Sequence, residues 1–177
     1  GCGNSVTTAE DVTDMAYARQ ILLSLCETVG IRLRADHKKA GGVSVGMRTS
    51  SFENSSRQIR LDSSTDVTEE IFETACQLLK KMWDGRKPIR LLQVTATRLT
   101  EAEYRQYSLF DTVDYEKLER ANQAIDSIRA RFGENAVMRA SFLKSGVEPT
   151  SGGLNKEKRR EKERGEKERG QSNEKNH

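Results

Sequence analysis

At 177 residues, 34% hydrophobic and 32% charged, the chain can close one modest core, and at about 100 to 200 residues per domain it has no room for a two-domain enzyme around a large cleft. No run approaches the roughly 18 apolar residues that span a bilayer, and no apolar run follows a basic start as in a secretory signal. A soluble, intracellular protein without a membrane partner is expected.

The 30 Lys and Arg stand against 27 Asp and Glu. Residues 156–177 hold nine basic and six acidic side chains, which leaves the first 155 residues neutral with 21 of each sign. Cys2, Cys26 and Cys76 are odd in number and form no CxxC or Cys/His cluster, which argues against a disulfide framework or a zinc site. His37 and His177 are the only histidines, too few for histidine-based catalysis, and His37 beside Lys38 and Lys39 reads as a surface loop residue. The first residue is Gly rather than Met and the next residues already read as strand, so a piece of something longer is expected.

Asn4 to Thr8 is a short β-prone run. Glu10, Asp11, Thr13 and Asp14 then supply capping oxygens and negative charge for a helix start. Ala18, Ile21, Leu22, Leu25, Val29 and Leu33 recur at three and four, the stripe of a core-facing helix, and Gly41 and Gly42 close that region. Val43, Val45 and Met47 alternate with Ser44, Gly46 and Arg48 as a half-buried strand. A polar turn at Glu53 to Ser56 leads to a second strand in which Ile59 and Leu61 alternate with Gln58 and Arg60, completing a hairpin.

Thr65, with Thr68, Glu69 and Glu70, opens a second helix whose face is Ile71, Ala75, Leu78, Leu79 and Met82. Asp84, Gly85 and Pro88 stop it, and Trp83 reads as a core plug. The last strand runs from Ile89 to about Leu99, with Leu92, Val94 and Ala96 on one face. The fold class is therefore α+β, a β-α-β-β-α-β sheet with two helices on one face. Its other face is open and polar, with Ser44, Arg48, Ser50, Gln58, Arg60, Gln93, Thr95 and Thr97.

Alternate strand residues lie about 6.6 Å apart, close to two phosphate steps of about 3.4 Å, so hydroxyls, amides and Arg on this face can track a nucleic-acid backbone. The plainer reading is a solvated sheet face. The stretch Met47-Arg48-Thr49-Ser50-Ser51-Phe52-Glu53-Asn54-Ser55-Ser56-Arg57-Gln58, with two Arg and many short donors around a turn, favours the first.

These pieces, together with Gly3-Asn4-Ser5, Trp83-Asp84-Gly85, Ile89-Arg90-Leu91-Leu92 and Gln106-Tyr107-Ser108-Leu109-Phe110-Asp111, resemble, in order, the C-terminal part of bacterial translesion (Y-family) DNA polymerases of the polymerase IV, or ImpB-MucB-SamB, type. The likeness covers residues 3 to about 143 and implies a little finger domain that grips primer-template DNA. It places Asn4, Ser5, Arg48, Ser56, Arg57, Arg90 and Thr95 where the family contacts phosphates, and Ser50, Gln58 and Arg60 join them as DNA-binding candidates. Some relatives carry basic residues at the positions of Leu91 and Thr95, so the last strand here is expected to bind more weakly. The implied domains are a little finger at 1–100, a linker at 101–114, a helical extension at 115–143 and a disordered charged tail at 144–177.

Gln106, Ser108, Leu109 and Phe110 resemble the QxSLF peptide by which bacterial proteins dock on the replicative sliding clamp. Burying Leu109 and Phe110 contributes about 3 to 6 kcal/mol before ordering costs, less than the about 8 kcal/mol of a micromolar complex, so a tether of modest strength is implied. The same two residues could instead pack on their own domain. Beyond them, Leu118, Ala121, Ile125, Ile128 and Phe132 form a narrow seam on a helix from about Tyr115 to Phe132 closed by Gly133. It is expected to pack on the body or on another part of the intact enzyme, or less favourably on a coiled-coil partner. Residues 161–165 and 166–170 repeat EKERG, and no apolar residue follows Lys156, a composition that cannot offset its ordering entropy. Gly146, Pro149, Ser151, Gly152 and Gly153 mark the linker into it.

Neither a carboxylate cluster for two metal ions, nor a phosphate loop, nor a Ser/His/Asp arrangement is present. No cofactor is expected in this piece; the resemblance implies Mg2+ in the palm of the intact enzyme, with finger and thumb domains beside it, in the cytoplasm of a bacterium at the nucleoid. A free-standing adaptor that binds the clamp or another protein without touching DNA is the alternative, and a small enzyme on this sheet lacks any candidate catalytic group.

Overall fold

The computed structural model describes residues 1–101, 114–143 and 145–149. The order is β1 (Cys2–Val12), α1 (Met15–Ala35), β2 (Lys38–Thr49), β3 (Asn54–Thr65), α2 (Thr68–Met82), β4 (Ile89–Glu101) and α3 (Tyr115–Phe132), followed by a 3-10 turn at Ala140–Phe142. The four strands form one sheet in the order β1-β4-β2-β3, with every neighbouring pair antiparallel. β1 and β2 therefore run parallel with β4 between them, and β3 and β4 run parallel with β2 between them. Each of α1 and α2 crosses over one intervening strand, a split β-α-β unit.

The helix stripes and the strand alternation meet as expected. Leu22, Leu25, Val29 and Leu33 of α1 and Ile71, Ala75 and Leu79 of α2 bury themselves against Val43, Val45, Met47, Ile89, Leu92, Val94 and Ala96. Trp83 plugs the end of α2, 4% exposed, with its Nε1 donating to the Lys87 carbonyl at 2.7 Å. Cys26 and Cys76 belong to this cluster as free thiols, and burial pushes both thiols up, Cys76 to about 11. His37 is exposed in the turn that leaves α1.

Several boundaries differ from the sequence expectation. β1 runs on to Val12, so Glu10 and Asp11 lie in a strand and Asp14 alone caps α1, accepting from the Tyr17 amide at 2.9 Å. Gly41 and Gly42 lie inside β2 rather than ahead of it. Alternation slips there: Ala40 and Val43 are both in the core, and opposite them Ala96 and Leu99 both face it across Arg98, whose φ is 51°.

The hairpin turn is Ser50 to Glu53, not Glu53 to Ser56. Thr49 holds it, donating its amide to the Glu53 carbonyl at 2.9 Å and accepting from the Glu53 amide on Oγ1 at 3.2 Å. Thr65 ends β3 and α2 starts at Thr68 without a side-chain cap; the Thr65 hydroxyl instead accepts from the Val67 amide. Ile59 is 43% exposed because β3 is an edge strand.

α3 runs to Phe132 and is closed by Gly133 as expected, with Asp114 as its cap, but only part of its predicted seam packs: Leu118 and Ile125 are half-buried and Ala121 is exposed. Its buried residues are Asn122 and Arg129, while Ile128 and Phe132 are 40% and 68% exposed. Residues 145–149, placed in the tail by their composition, include Val147 packed against the core. The rest of the tail, with the EKERG repeats, lies outside the described residues. No helix among the described residues is long and apolar enough to cross a membrane.

Candidate nucleic-acid interface

Strand register decides which side chains share the uncovered face. Ser44 lies opposite Gln58 on β3 and Thr95 on β4, and Thr95 opposite Gly3 on β1. Flanking rows are Ser56, Gly46, Gln93 and Ser5; Asn54, Arg48, Leu91 and Thr7; and Arg60, Gly42 and Thr97. Neighbours across the strands stand about 4.8 Å apart and successive rows about 6.6 Å apart. These rows hold hydroxyls, amides and two Arg, with no acidic side chain among them.

Ser5, Arg48, Ser56, Gln58, Arg60 and Thr95 thus come together on one surface. Among the described residues neither an ion pair nor a side-chain hydrogen bond occupies the guanidinium of Arg48, Arg57 or Arg60. Glycine keeps the surface low. A Cβ on Gly42 would stand 2.6 Å from Thr97 Oγ1 and 2.9 Å from the Ile59 carbonyl, and one on Gly3 would stand 2.8 Å from Thr95 Oγ1. The β4 threonines therefore lie over the glycine backbone of the neighbouring strands, and a side chain there would collide with them.

Four of the sequence-derived candidates sit elsewhere. Asn4 faces the helices: it lies opposite Val94, alternates with Val6 of the core, and is 6% exposed. Arg57 lies opposite Val45, on the helix side of the sheet, and is exposed because β3 is the edge. Ser50 is in the hairpin turn. Arg90 falls where the register skips from Leu91 to Ile89, at the sheet end. Its Nη1 donates to the Ala9 carbonyl at 3.2 Å and pairs with Asp11 at 3.3 Å, both side chains 44% exposed. An exposed pair of that kind is worth under about 1 kcal/mol, so a phosphate can compete for Arg90.

Thr7 and Asn54 join the surface without having been singled out. Asn54 reads as turn until the turn is known to end at Glu53, and Thr7 is visible once Val6 is placed inward. Among the described residues no group of three His, Cys, Asp or Glu side chains is placed to hold a metal ion. Gln106, Ser108, Leu109 and Phe110 lie outside the described residues.

This fold, a four-stranded sheet with both helices on one face and no described residue covering the other, is shared with a Y-family DNA polymerase chimera, which matches over 56% of this chain and 28% of its own, with a TM-score of 0.50 at 13% identity. Residues 1–109 match the impB/mucB/samB family C-terminal domain, and the chain belongs to that family. It is 38% identical over 140 residues to DNA polymerase IV of Clostridium acetobutylicum, covering 79% of this chain and 35% of that one. DNA polymerase IV 2 of Halalkalibacterium halodurans is 35% identical over 147 residues, with 81% and 35% covered. The chain thus spans about a third of the length of the curated relatives it matches.

Proposed function

We propose that this chain grips primer-template DNA through its phosphate backbone on the bare sheet face, within a translesion polymerase acting in lesion bypass and repair. The observation that carries this reading is the acid-free array of rows from Gly42 to Arg48, with Arg48 and Arg60 unengaged by any described residue. Ser5, Ser44, Ser56, Thr95 and Thr97 donate hydroxyls to phosphate oxygens. Arg48 and Arg60 supply charge, and Arg57 and Arg90 reach the duplex from the sheet margins. None of these groups is arranged to read bases, so binding is insensitive to sequence.

In this reading nucleotidyl transfer and its Mg2+ belong to the palm of the intact bacterial enzyme, with finger and thumb domains alongside. Residues 106–110 tether the assembly to the sliding clamp, with Leu109 and Phe110 as apolar anchors and Gln106 and Ser108 fixing register.

Fluorescence anisotropy with labelled primer-template DNA tests the reading. Binding should be measurable at low salt and fall linearly in log-log form as salt rises, about 0.9 in slope per neutralised phosphate. Absence of binding at low salt, with clamp capture retained, would establish the adaptor reading instead.

A further inference from the structure

The outer surface of the two helices carries a second structure that the sheet does not need. Glu27, on α1, is only 2% exposed and sits between two arginines of the C-terminal segment. Arg129 Nη1 donates to Glu27 Oε2 at 2.9 Å, and Arg139 Nε donates to Oε1. Arg139 also reaches Glu69 Oε1 at 2.6 Å, and Asn122 donates to Glu69 Oε2 at 2.9 Å. Arg34 grips Asp126 with two nitrogens, Nη2 at 3.2 Å, and Lys39 Nζ meets Glu119 at 3.1 Å. Ser24 Oγ donates to the Glu148 carbonyl.

Apolar burial in this contact is sparse. Phe142, 4% exposed, and Val147 provide it, with half-buried Leu118 and Ile125 of α3, whereas Ile128 and Phe132 remain outside. The body's hydrophobic cluster includes no residue of α3. On α1 the groups that bond to the segment are Ser24, Glu27 and Arg34, all polar and open to water once it leaves. Buried ion pairs of this kind lose most of their Coulomb gain to desolvation.

We propose that residues 114–143 and 145–149 form a charge-held latch that leaves the helix pair as one unit while the sheet and its core stay folded. Salt favours the open state, in which the separated charges stand in water and gain ion atmospheres; the closed pairs, with side chains 3% to 31% exposed, are themselves screened little.

Hydrogen exchange of the full chain, read by mass spectrometry in low and in molar sodium chloride, tests this. Amides of Tyr115–Phe132 should lose at least about tenfold of their protection in high salt while those of β2 and β4 keep theirs, and equimolar sucrose should not reproduce the loss. Asp126→Asn, at a site whose side chain is 23% exposed, should open α3 in low salt with the β2 amides unchanged, and Glu27→Gln should do so more strongly. Exchange of α3 at the rate of β2 in every condition, or an α3 indifferent to salt and to both substitutions, would overturn the latch.

Discussion

Arg48 and Arg57 leave the same hairpin on opposite sides of the sheet. Arg48 pairs with Asn54 in a row of the open face, and Arg57 pairs with Val45, whose side chain lies in the core. Only Arg48 is positioned for a duplex lying flat across the strands; Arg57 must reach it over the β3 edge. Replacing Arg48 by Ala should reduce the salt slope of DNA binding by about one, the loss of one phosphate contact. Arg57→Ala should reduce it by less. The two slopes come from the same anisotropy titrations, and a larger effect at Arg57 would place the DNA on the edge.

Gly42 is confined by backbone as well as by a side chain, since a Cβ there would stand 2.9 Å from the Ile59 carbonyl. Gly42→Ala should therefore cost about 1 to 3 kcal/mol in urea unfolding, the usual range for overpacking. Ser44→Ala, one residue pair along on the same face, should leave stability within about 0.5 kcal/mol, as surface changes do.

Acid should loosen the C-terminal segment first. Burial works against the Glu69 carboxylate, but hydrogen bonds from Arg139 and Asn122, with the Arg139 charge, outweigh it and hold its pKa below the ordinary 4.5. Glu27 shares Arg139 from α1, and Glu73 lines the same cleft from α2. A carboxylate with a depressed folded pKa contributes stability that is fully present above 4.5 and is lost as pH falls through the folded value. Hydrogen exchange between pH 7 and pH 3, corrected for the intrinsic rate at each pH, should show Tyr115–Phe132 losing protection before β2 or β4 does.

For the tether, Leu109→Ala combined with Phe110→Ala should abolish capture of the full chain by an immobilised bacterial clamp. Circular dichroism should be unchanged, since neither substitution alters a residue of the described core.

Sequence pattern exposed the two helices and the alternating strands because those signals are local: Val43, Val45 and Met47 could face only one way, and so could Leu92, Val94 and Ala96. It did not expose the slip at Gly41 and Arg98, since a left-handed residue that turns a strand over leaves no mark in hydrophobicity. Arg57 was grouped with Arg48 by proximity in sequence, and only the register reveals that an odd number of steps separates them. The orientation of α3 was read from its apolar stripe. Its real partners are charged groups such as Glu27, which lies 102 residues from Arg129, and no periodicity links residues that far apart.

The most direct measurement is an amide chemical-shift map of the isotope-labelled chain titrated with primer-template DNA at low salt. Shifts should concentrate on Ser5, Ser44–Arg48, Ser56–Arg60 and Gln93–Thr97, fade as salt is added, and spare α1 and α2. Shifts centred on the helices or the C-terminal segment, with those strands silent, would contradict the account.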